Sequence, residues 1–170
     1  MLDLPGAVAA EGVDAGVAAH YGSWNTEQRT LVSGEGFVDL SHRDVVRVSG
    51  PDRLDWLHSL TTQYFEGLAP GVPTTALVLS PHGHVEHAFT GVDDGEAFTA
   101  HTEPGAGPAL VDFLDRMRFL TRVEVALVTD ELATVWRPGP DEAGHYELVP
   151  RTDLPTYAAA HGPACGLAAF

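Results

Sequence analysis

Val45-Val46-Arg47-Val48-Ser49-Gly50-Pro51-Asp52-Arg53-Leu54-Asp55-Trp56-Leu57-His58-Ser59-Leu60 changes its period partway through. The β-branched opening, bounded by Gly50-Pro51, predicts a strand over 45–49. Pro51 suits the first helical position, and Asp52 is favourably placed in the first turn. Leu54, Leu57 and Leu60 then recur on one helix face, with Trp56 beside it. A strand that turns straight into an amphipathic helix is the first half of a layered α+β arrangement.

The pattern repeats outward. Residues 74–79 read as a strand, Ser80-Pro81-His82-Gly83 as a tight turn, and 84–90 as the returning strand. Asp93-Asp94-Gly95 turns again into a strand over 97–102. Leu110, Phe113, Leu114 and Met117 mark an amphipathic helix over 109–117. Strands follow over 123–128 and 133–136. Upstream, Asn25 with Gln28 three residues on has the form of a capping box, and a short helix runs to Val32. The run 37–40 alternates as a short strand. The order β-α-β-β, β-α-β-β predicts an α+β fold: an antiparallel sheet with helices on one face, as in a ferredoxin-like duplication. Residues 1–24 read as an arm and 25–137 as the core. Residues 138–170 read as a linker, with one short strand over 146–149 and then the start of a further, truncated segment.

The chain has 170 residues and a formal net charge of −15. So acidic a surface disfavours nucleic acid and anionic membranes as partners. All nine basic residues are arginine, which excludes a lysine-bearing phosphate loop, a pyridoxal Schiff base and any lysine nucleophile. Cys165 stands alone, so there is no internal disulfide, paired-thiol redox motif or multi-thiolate zinc site. Neither a secretory signal nor an apolar run of about 18 residues is visible, and a cytoplasmic monomer is the expectation.

Several residue groups carry candidate chemistry. His82, His84 and His87 would form a metal site only if three nitrogens converged; solvated turn histidines are the preferred reading. Asp39, Ser41 and His42 are contiguous, unlike the dispersed members of a catalytic triad. Residues 48–53 read as a helix cap rather than an anion loop. Arg43 and Arg47 fall on the same side of a regular strand and could hold a carboxylate, or be solvated or salt-bridged.

The stretch from Gly36 to His58, with Leu60-Thr61-Thr62-Gln63 and Leu79-Ser80-Pro81-His82-Gly83-His84-Val85, closely resembles the folate-binding superfamily of the glycine-cleavage T-protein (an aminomethyltransferase) and the YgfZ-type proteins. The details look most like the YgfZ-type branch, and the match runs over about residues 20 to 137. The resemblance implies a three-domain ring with tetrahydrofolate in its central channel, and this chain as the N-terminal portion. The region 25–137 is then the folate-binding core. The YgfZ branch implies a role in assembly or repair of iron–sulfur enzymes, with folate and iron–sulfur client proteins as partners. The T-protein branch implies one-carbon transfer from an aminomethyl-lipoyl carrier to tetrahydrofolate.

Carried over by position, the paired aspartates of the transferase hairpin fall on His87 and Ala88. A methyl group cannot relay a proton, so no catalytic residue is assigned and aminomethyl transfer is not expected. Cofactor-binding positions fall on Arg43, Arg47, Thr75, His87, Thr90 and His101. The YgfZ signature Lys-Gly-Cys-Tyr-x-Gly-Gln-Glu is not in the chain, and weak folate binding by this portion is the expectation. An aminomethyltransferase-like enzyme and an interaction module with a vestigial pocket are the rival readings.

Overall fold

The computed structural model describes residues 1–139 and 144–170. The expected boundary at 138–140 and the start of the expected loop fall partly on residues 140–143, outside the described residues. In chain order the elements are β1 (Val8–Ala9), β2 (Ala18–His20), α1 (Trp24–Val32), β3 (Phe37–Asp39), β4 (Asp44–Ser49), α2 (Arg53–Leu60), β5 (Thr74–Leu79), β6 (Val85–Asp93), β7 (Ala97–Thr102), α3 (Gly107–Met117), β8 (Glu124–Leu127), β9 (Leu132–Arg137), β10 (His145–Pro150), α4 (Leu154–His161) and β11 (Ala164–Cys165). They form two compact units, one of residues 44–129 and one of residues 1–43 with 130–170.

The unit 44–129 holds a five-stranded sheet in the order β5-β6-β7-β4-β8, every neighbouring pair antiparallel. Without β5 this is the ferredoxin-like order, so β5 is an added edge strand. Both helices cover one face. Trp56 and Leu57 of α2 and Leu110 and Leu114 of α3 pack on Val46, Val48, Ala76, Val78, Phe89, Phe98 and Ala100. Those strand residues are spaced by two, so the alternation of each strand assigns one face to this core, while the other carries Val45 and His101, both buried, beside the more exposed Thr75 and Thr90. Burying each Val, Leu or Phe of this set contributes about 2 kcal/mol, and each Ala less.

Two charged groups fix this unit's corners. Arg53 at the start of α2 donates through Nε and Nη2 to the carboxylate of Asp93 at the end of β6, at 2.7 and 2.8 Å. Asp93 is 1% exposed, and the bidentate geometry offsets the cost of burying it. Asp44 accepts from the Gly107 backbone N–H at 2.8 Å, which satisfies one free donor at the start of α3.

The unit of residues 1–43 and 130–170 holds a four-stranded sheet in the order β10-β9-β3-β11, with β11 parallel to β3. Phe37, Ala133, Val135, Leu154 and Tyr157 form its core. This differs from the expected arm, single core and linker. β1 pairs with β2, and Val17 and Ala18 are buried. β9 pairs with β3 and β10 rather than extending the first sheet. The physical reason is that β3 has too few residues to form a sheet by itself and recruits partners from the far end of the sequence. Glu27 of α1 stitches the segments together. Its carboxylate accepts from Tyr21 N and Gly166 N, each at 2.8 Å. No helix among the described residues is long and apolar enough to cross a membrane.

Candidate functional site

The face of the five-stranded sheet opposite its helices carries most of the positions that the resemblance singles out. Pairing aligns Thr75 of β5 with Thr90 of β6, Thr90 with His101 of β7, and His101 with Val45 of β4. All four stand in one row. The Thr75 and Thr90 hydroxyls are hydrogen-bonded at 2.9 Å. His101 is buried, Thr90 half-buried and Thr75 exposed. The next row holds Val92, Thr99, Arg47 and Ala126. On the other side, Leu77 pairs with Ala88. These rows present three hydroxyls, an imidazole, a guanidinium and small apolar surfaces, with no carboxylate among them.

Thus Arg47, Thr75, Thr90 and His101 share a sheet face. His87 does not. It has the parity of Phe89, which points to the helices, and its ring lies 5.3 Å from that of Phe113 on α3. Burial pushes its pKa below the usual histidine value; Arg116 pushes the same way and Glu86 opposes. Ala88, one residue on, is exposed on the face that His87 avoids. Glu86 is the extra residue of a β-bulge, since Val78 pairs with His87 and Leu79 with Val85. His82 and His84 are exposed in the hairpin turn.

Arg43 departs from the expected strand geometry. β4 begins one residue later, and Arg43 sits in a turn with its backbone N–H donating to Leu40 O. Its guanidinium stands 6.0 Å from the centre of the Tyr146 ring, a cation–π contact within its own unit. The i and i+4 relation to Arg47 is therefore not a shared strand face.

Sequence reasoning missed two buried carboxylates that each join separate segments of their unit, Asp93 and Glu27. The signal for Asp93 lay in the turn Asp93-Asp94-Gly95: its Oδ1 also accepts from Gly95 N at 2.8 Å. Glu27 had no comparable signal, because its partners lie 6 and 139 residues away. Cys165 is buried, and burial pushes its thiol up to about 11, so it is a packing group.

Comparison with known proteins agrees with this architecture. No protein-family model matches the chain. A protein of Natronomonas pharaonis named as a probable aminomethyltransferase is 29% identical over 127 residues, 71% of this chain and 35% of that protein. A chloroplastic protein of Arabidopsis thaliana named as a putative transferase is 29% identical over 112 residues, 64% of this chain and 25% of its own length. The chain therefore spans about a third or less of the curated relatives it matches. The crystal structure of glycine cleavage system aminomethyltransferase T from Bartonella henselae superposes with a TM-score of 0.67 at 16% identity, over 79% of this chain and 37% of that one. The chain has an aminomethyltransferase-like α+β fold.

Proposed function

We propose that this chain is a tetrahydrofolate-binding protein that supports assembly or repair of iron–sulfur enzymes, without methyl-transfer turnover of its own. One observation carries the second half of that reading. The resemblance puts the transferase's paired aspartates at His87 and Ala88, and of the two it is Ala88 that β6 presents on the face of Thr90. A methyl group has no lone pair and no exchangeable proton. The nearest replacement by sequence, His87, is turned onto α3.

The residues present suit the ligand. A pteridine edge needs donors and acceptors, and the Thr75–Thr90 hydroxyl pair can supply both. His101 adds an imidazole in the same row, and Arg47 a guanidinium in the next, suited to a carboxylate of the folate tail. When bound, tetrahydrofolate supplies a carrier nitrogen for one-carbon units. The protein's residues orient it and leave it chemically unchanged.

Titration of the chain with tetrahydrofolate tests the binding half. Saturable binding is expected, weakened about fivefold by Thr90→Val, the loss of roughly 1 kcal/mol from one hydrogen bond. Transfer from an aminomethyl-lipoyl carrier to tetrahydrofolate should be undetectable. Turnover by the wild type would overturn the reading, as would absence of binding at millimolar ligand. For the cellular role, a strain lacking the gene should lose activity of iron–sulfur enzymes and regain it with the wild-type gene. Undiminished activity in the deleted strain would remove that part.

A further inference from the structure

Exposed apolar side chains scattered singly are ordinary on a protein surface; three within four residues are not. Met117, at the end of α3, is 45% exposed, Phe119 81% and Leu120 89%. The segment that carries them is braced. Trp56 Nε1 donates to Met117 O at 3.2 Å, Arg118 Nη1 donates to Val123 O at 3.3 Å, and Arg122 donates through its backbone N–H and its guanidinium to the Asp52 carboxylate. Leu120 is held in the left-handed backbone region, with φ at 54°, and its side chain packs on almost nothing in its own chain. A braced loop that holds apolar groups out in water loses little freedom when a partner covers them.

The helix before the loop says what that partner is. Asp112, Asp115 and Arg116 are exposed on the side of α3 opposite the buried Leu110 and Leu114, and Ala109 is exposed one turn before Asp112. Along that side a small residue comes first, then carboxylate, then guanidinium, then the large apolar pair Phe119 and Leu120. The series is complementary to its own reverse. Set antiparallel about a two-fold axis level with Leu114, two copies bring Ala109 of each against Phe119 of the other and Asp112 of each against Arg116 of the other. Each large ring meets a small residue, and each carboxylate a guanidinium. Asp115 falls near the axis, where Arg118 of its own chain pairs with it at 3.5 Å.

We propose that the outer face of α3 and the loop after it join two copies of this chain in an antiparallel, two-fold dimer. This replaces the monomer expected from the sequence, and it does not depend on the folate reading. The contact is isologous, so it closes at two copies and gives no growing filament. The face is small, at the low end of specific interfaces, and the dimer is accordingly weak, with a dissociation constant of roughly 10–100 μM. The formal charge of −15 on each copy does not prevent association. At about 0.15 M salt the Debye length is about 8 Å, so each charge is governed by its neighbours.

Sedimentation of the chain at that ionic strength, from about 5 to about 500 μM, tests the proposal. A reversible rise in average mass from one copy toward two is expected. Leu120→Asp puts a solvated charge into the contact and should raise the dissociation constant about tenfold or more. Aspartate tolerates the left-handed backbone, so that variant keeps the fold. The antiparallel register has its own test. Asp112→Arg alone and Arg116→Asp alone each set like charges opposite one another twice, and each should dimerise about tenfold more weakly than the wild type. An equimolar mixture of the two variants restores opposite charges at both contacts and should associate as the wild type does. A wild-type chain that stays at the mass of one copy over the whole range overturns the proposal. So does a dimer that Leu120→Asp leaves intact, because another surface then forms it. A mixture no more associated than its two components overturns the antiparallel pairing on which the proposal stands.

Discussion

The two units solve the same folding problem by different means. In residues 44–129, successive strands are joined by tight turns or a single helix, and the core is almost wholly apolar. In residues 1–43 with 130–170, a three-residue strand, β3, lies between β9 and β11, both from the far end of the chain. That unit relies on a carboxylate, Glu27, to bridge α1 to Tyr21 and Gly166. Local connections let hydrophobic alternation do the specifying. Long connections leave short strands whose register needs polar bonds to fix it.

The contrast predicts where each unit is most fragile. Phe98 is 1% exposed and makes edge-to-face contacts with Phe65 and Phe89 at 5.2 and 6.2 Å. Phe98→Ala should cost about 4 kcal/mol, the largest single effect, read as a fall in urea midpoint. In the other unit the sensitive position is polar. Glu27→Ala leaves two backbone N–H groups without an acceptor and should cost about 3 kcal/mol. Glu27→Gln retains one acceptor oxygen and should cost about half of that. The comparison breaks if Glu27→Gln and Glu27→Ala are equally mild, because packing rather than the bridging carboxylate would then hold the second unit.

The same contrast explains what could be read in advance. Strands 74–79 and 97–102 fall where periodicity and turn residues place them, and α2 and α3 begin within two residues of expectation. Leu57, Leu110 and Leu114 are buried, as their spacing requires. In the second unit α4 was illegible. Ala158, Ala159 and Ala160 carry no amphipathic contrast, although Asp153 before Leu154-Pro155 is a usable start signal. β11 has two residues, too few for any period. For the candidate site, Thr75, Thr90, His101 and Arg47 came from the family resemblance; that they share a face is set by the register between four strands, which the period of any one strand does not reveal. His87 shows the limit: only the parity of β6 beyond its bulge reveals that it faces α3.

One residue breaks the local rules that residues 44–129 otherwise follow, and it gives the smallest effect. Leu120 is the one non-glycine among the described residues with positive φ, at 54°, and its side chain is 89% exposed. The left-handed conformation costs a Cβ-bearing residue roughly 1–2 kcal/mol, while so exposed a side chain loses little packing when removed. Neighbours hold the loop in place: Trp56 Nε1 donates to Met117 O, and the Arg122 guanidinium grips Asp52. Leu120→Gly should therefore stabilise the protein, even after about 0.5–1 kcal/mol for the freer unfolded chain, leaving a gain of roughly 0.5 kcal/mol. Leu120→Ala keeps the Cβ and should gain nothing. If alanine stabilises as much as glycine, the cost resides in the exposed leucyl group rather than in the backbone, and the loop is no exception to the local logic of its unit.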